Sequence, residues 1–72
     1  IRVNGEISNL MTPFSGHSYF SLKDSPSQVR AVLFKNQQRY LNLTPADGQQ
    51  VICFGRISVY EPRGDYQLIV DT

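Results

Sequence analysis

Three stretches of this chain place apolar residues at every second position, a spacing that fits a strand with one buried face and does not fit a helix. From Ile1 to Leu10 they fall at Ile1, Val3 and Ile7, with Arg2, Asn4, Glu6 and Ser8 between them. From His17 to Asp24 the pattern sets Phe20 and Leu22 on one side and His17, Tyr19, Ser21 and Lys23 on the other. From Gln49 to Tyr60 it sets Val51, Cys53, Gly55, Ile57 and Val59 opposite Arg56, Ser58 and Tyr60. Gly5 and Gly55 occupy apolar-side positions, which predicts a bulge or sharp bend at each, as small barrels need where strands coil.

Two more strands are expected. Gln28 to Lys35 is rich in β-branched and aromatic residues, but its parity is ambiguous. Arg30 belongs outside, which makes Val29, Ala31 and Leu33 the inner set and turns Val32 and Phe34 outward as well. Tyr66 to Asp71 is the last strand, joined to the fourth by a hairpin over Glu61 to Asp65, where Pro62 and Gly64 suit a turn. Thr12 to Gly16 and Ser25 to Ser27 read as connections. Asn36 is expected to cap a short helical turn over Gln37 to Leu43, with apolar positions at 40, 41 and 43, before Pro45-Ala46-Asp47-Gly48 breaks it. Five strands with one short helix between the third and fourth is the order of an OB-fold, an all-β, partly open Greek-key barrel. Strand order alone leaves other small barrels open; the helix placement favours this one.

Size and composition agree with one such barrel. Seventy-two residues at 8.2 kDa make a single domain over 1–72, and folding can bury surface from about 12,000 to about 4,500 Å². A hydrophobic content of 40% with eight aromatics argues against a disordered tail. The lone cysteine, Cys53, forms no internal disulfide or thiolate metal site, which fits a reducing, cytoplasmic setting. No apolar run approaches the roughly 20 residues of a membrane span, and no signal-peptide pattern opens the chain, so no membrane partner is expected. Because the chain begins inside one alternating pattern and stops two residues after another, it reads as a fragment of a longer polypeptide. The net charge of +1 predicts no partner by itself.

OB barrels hold oligonucleotides on the exposed face of the second and third strands, flanked by the loops joining strands one to two and four to five. Here that surface offers His17, Tyr19, Lys23, Arg30 and Phe34, with Arg56 and Arg63 further along the chain and Ser15-Gly16 and Pro62-Arg63-Gly64 at the rims. Bases stack on aromatic faces for roughly 1 to 3 kcal/mol each, while lysine and arginine follow the phosphates. Each residue also has a plainer reading. Tyr19 could pack on a neighbouring strand, Phe34 could fill the core, His17 could be loop scaffolding, and the arginines could be ordinary surface charge. His17 has no second histidine or carboxylate cluster beside it, and Glu6, Asp24, Asp47, Glu61, Asp65 and Asp71 are scattered. No catalytic set, metal or cofactor is therefore expected within the chain.

Four blocks closely resemble the N-terminal OB domain of the large subunit of bacterial exodeoxyribonuclease VII: GEISN (Gly5 to Asn9), SGHSYFSLKD (Ser15 to Asp24), QVRAVLF (Gln28 to Phe34) and YEPRGDYQLIV (Tyr60 to Val70). They recur in order, with similar spacing, over nearly the whole chain. Ser18 stands where the family usually carries a bulkier aromatic, so no stacking role is assigned to it. The resemblance implies a module that binds single-stranded DNA, with hydrolysis in a following catalytic domain, absent here, and small subunits recruited by a helical region outside this segment. The rival expectation is an OB module that binds RNA or serves protein assembly.

Overall fold

Among the described residues, the alternation read from the sequence becomes five strands and one helix: β1 (Arg2–Met11), β2 (Ser18–Asp24), β3 (Ser27–Leu33), α1 (Lys35–Leu41), β4 (Gln50–Tyr60) and β5 (Asp65–Val70). The structure, a computed structural model, describes residues 1–24, 26–42, 44–60 and 65–72, and every side chain among them but those of Tyr60 and Asp65. Ser25, Leu43 and residues 61–64, Arg63 included, lie outside the described residues, and with them the expected hairpin turn. The strands close into a barrel in the order β1-β2-β3-β5-β4, antiparallel throughout except where β3 meets β5. This is the five-stranded barrel with one short helix that the sequence predicts.

Burial settles the parity of β3. Ile7, Phe20, Leu22, Ala31, Leu33, Cys53, Leu68 and Val70 form the buried core, with Val3, Leu10, Val29 and Val51 packed against it. Val29, Ala31 and Leu33 are thus the inner set, as Arg30 required. Ser18 also faces inward, 1% exposed, with its hydroxyl 3.3 Å from that of Thr12.

The two glycines behave differently. Gly55 is where β4 changes partners: residues up to Phe54 pair with β1, and those from Gly55 onward with β5. The strands approach so closely there that a Cβ would lie 2.0 Å from the Ile69 carbonyl oxygen, so only glycine fits without moving backbone. Past this bend Ile57 and Val59 keep the inward parity, opposite Leu68 and Tyr66, yet remain exposed because β4 now pairs with β5 alone. Gly5, by contrast, does not interrupt its strand, for Arg2 to Glu6 pair residue by residue with Phe54 to Gln50. The irregularity lies between Ser8 and Met11, where Asn9 takes φ 54°. Asparagine tolerates that left-handed conformation. The extra residue shifts parity, so Leu10 packs inward and Met11 outward.

The helix also departs from expectation. It begins at Lys35 rather than Gln37, with Phe34 in the cap position and no capping bond from the cap residue's own side chain; Asn36 lies inside it. The first helical amide, Lys35 N–H, instead donates to His17 Nδ1 at 3.0 Å. A partner supplied from another part of the chain removes the need for a local cap. Asn42 ends the helix in the left-handed conformation, φ 53°. Of the stripe expected at 40, 41 and 43, Tyr40 is exposed and Leu41 half-buried, and Leu43 lies outside the described residues.

Candidate nucleic-acid interface

Cross-strand register assembles the outer face of β2 and β3 into rows, because residues directly opposite one another share a face. One row runs Met11, Tyr19, Val32, Ile69, Arg56. The next runs Ser8, Ser21, Arg30, and a third Glu6, Lys23, Gln28. Strands about 4.8 Å apart and rows about 6.7 Å apart make this a shallow platform on which an extended polymer can lie. Tyr19, Lys23 and Arg30 therefore share the face that their parity predicts.

This face has a floor. Val32 and Ser21 are each 1% exposed although they point away from the core, and Val32 stands outside the core cluster. Gln28 Nε2 donates to Ser21 Oγ at 3.2 Å, laying its amide across the serine. Tyr19 is half-buried beside Val32, so its ring is braced by neighbours rather than swinging free. A braced aromatic suits stacking, because less rotamer entropy is lost on binding.

The charges are unequal. Arg30 is exposed, with Ser21 across from it and no acid in its row. Lys23 is exposed too, but Glu6 faces it across β1 and Asp24 follows it, so its field is partly offset. Arg56 sits at the far end of the first row, 3.7 Å from Asp71, an exposed ion pair that contributes at most about 1 kcal/mol and can open to a phosphate. Arg63 lies outside the described residues.

Phe34 lies one residue past the end of β3, in extended backbone and with the outward parity of Arg30 and Val32. It follows the strand as the α1 cap residue, 39% exposed, with its ring edge-to-face against His17 at 5.1 Å and 82°. His17 is half-buried, its Nδ1 occupied by the Lys35 amide.

Sequence reasoning passed over several residues here. Phe14 is fully exposed on the β1–β2 loop, within the turn that Gly16 N–H closes on Pro13 O at 2.8 Å. Its signal was an aromatic in a loop that borders the ligand face of such barrels. Met11 and Ile69 extend the Tyr19 row, and Tyr66, 70% exposed, stands next to the β4–β5 connection. Met11 was hidden by the Asn9 bulge.

Other regions fit a polyanion less well. An apolar cavity of about 150 Å³ at the α1 end, lined by Leu33, Leu41, Pro45, Cys53 and Val70 among others, has no charged side chain in its lining. Burial raises the pKa of the Cys53 thiol above its ordinary value, which keeps it protonated and unreactive. Among the described residues, no group of three His, Cys, Asp or Glu side chains could hold a metal ion. Nor, among the described residues, is any helix long and apolar enough to cross a membrane.

The chain is similar to exodeoxyribonuclease 7 large subunits: 54% identical over 72 residues to that of Shewanella denitrificans, 56% over 72 residues to that of Shewanella oneidensis, and 58% over 69 residues to that of Geotalea uraniireducens. These alignments cover 96–100% of the chain, which spans 16% of the length of those relatives. A family model described as an OB-fold nucleic acid binding domain matches residues 1–72. With its whole length matched and the barrel closed in OB order, the chain belongs to the family of OB-fold nucleic acid binding domains.

Proposed function

We propose that this chain is a non-catalytic module that binds single-stranded DNA without reading sequence, and that it delivers the strand to the hydrolytic part of an exodeoxyribonuclease VII large subunit. Contacts with small subunits would then be made by regions beyond this segment. The observation that carries the reading is the row from Met11 through Tyr19 and Val32 to Ile69 and Arg56, bordered by Arg30 and Lys23. It offers a braced aromatic on an apolar floor with cations beside it, a platform for base faces with charge for the backbone. Direct base readout would call for side chains converging on base edges; the aromatic and aliphatic surface favours stacking, which every base supports.

The test is a fluorescence titration of the chain with a single-stranded oligodeoxynucleotide, its duplex and the matching RNA, at several salt concentrations. Single-stranded DNA should bind more tightly than duplex. With about two to four phosphate contacts, log K should fall against log salt with a slope of roughly −1.5 to −3. Salt-independent binding, or equal affinity for duplex, contradicts the proposal. Stronger binding to RNA through its 2′-hydroxyl moves the module to the RNA-binding class.

A further inference from the structure

We propose that His17 is a positioning residue of this interface: it latches the end of the β1–β2 loop to the start of α1 and so fixes Phe14 and Phe34 relative to Tyr19. This rests on the binding function proposed above but stands on separate observations. The Lys35 amide is the first of α1, one of the helix-start donors left without an intrahelical acceptor, and it donates to His17 Nδ1 at 3.0 Å. That bond defines the neutral imidazole with its proton on Nε2, since a nitrogen that accepts cannot also carry hydrogen. His17 thus caps the helix from eighteen positions upstream.

Three further contacts close the same joint. The His17 ring meets the Phe34 ring edge-to-face at 5.1 Å. Gln38 Nε2 donates both to Gly16 O and to Leu33 O, each at 3.0 Å, bridging the loop and the end of β3. Gly16 adopts φ 84°, and a Cβ there would come within 2.8 Å of the Lys35 side chain, so the loop lies directly on that residue. The loop is therefore bonded from two sides at its last two residues. Phe14 precedes His17 by three residues and Phe34 meets the His17 ring itself, so freeing His17 leaves both less well defined relative to Tyr19, which β2 holds in place.

The chemistry of the latch selects the variants that test it. In His17→Asn, Oδ1 takes the place of Nδ1 and preserves the acceptor without the ring; in His17→Phe the ring stays and the acceptor is lost. Amide hydrogen exchange at Lys35 in the ligand-free chain is measured by NMR. The affinity for an oligothymidylate of about fifteen nucleotides, within the span an OB barrel covers, is measured in parallel. Loss of the bond should speed Lys35 exchange about five-fold and weaken binding about five-fold in His17→Ala and His17→Phe, whereas His17→Asn should recover most of both. If alanine weakens binding while Lys35 stays protected, His17 is a contact residue and the latch is overturned. Failure of asparagine to restore Lys35 protection overturns it equally, and that variant keeps the test decisive should alanine unfold α1. Should the unaltered chain not bind at all, the proposed function fails, and the exchange data still decide the latch.

Discussion

The two faces of β2 carry neighbouring residues under opposite constraints. Phe20 and Leu22 are 2% and 1% exposed within the core, held by contacts on every side. Tyr19 and Lys23, one position away, meet solvent, yet the face they share is not uniformly open, since Ser21 and Val32 are buried there without joining the core. The inner face is set by exclusion of water. The outer face is set by what it must leave accessible, and its buried floor braces the few groups that project.

That contrast is broken first by Phe20→Ala, the largest effect expected. Removing a ring from the closed core should cost about 3 to 5 kcal/mol of stability, enough to unfold much of so small a barrel, with binding lost only as a consequence. Thermal or urea denaturation followed by circular dichroism checks this. Next comes Tyr19→Ala, which should weaken single-strand binding by roughly 1 to 3 kcal/mol while shifting the melting temperature little. Tyr19→Phe should keep most of the affinity. If Tyr19→Ala unfolds the chain and Phe20→Ala only weakens binding, the two faces are reversed.

The smallest expected effects separate the cations. Arg30→Ala should reduce the salt slope by roughly 0.7, the loss of one phosphate contact. Lys23→Ala should reduce it by less, because Glu6 already faces that side chain across β1. Equal changes in the two slopes would show that the acid across the sheet does not temper Lys23.

The sequence made the inner face readable because burial imposes a period of two on any strand with one wet side. The parity of β3 stayed ambiguous for a physical reason: Ala31, Val32 and Leu33 are all buried, two in the core and one beneath the outer surface. Gly5, on the apolar side, suggests a bulge or sharp bend, but for the bulge the better signal is Leu10, which falls out of step with Ile7 because of the residue inserted at Asn9. The helix start was misplaced because its cap, His17, is supplied by another segment, beyond the reach of local capping rules. Of the candidate site, Tyr19, Lys23 and Arg30 followed from parity, whereas Phe14 and Met11 did not, since loops and bulges escape the alternation.

The measurement that bears most directly on the outer face of β2 and β3 is a map of amide chemical-shift changes as unlabelled oligothymidylate is added to the 15N-labelled chain. The largest changes should trace Met11, Tyr19, Ser21, Arg30, Val32 and Ile69, with Phe14 and Lys23 at the margins. Little change should occur at Ile52 and Phe54, which are exposed apolar residues on the outer side of β4 paired with Asn4 and Arg2. Changes concentrated on Ile52 and Phe54, with the Tyr19 row silent, would contradict the account.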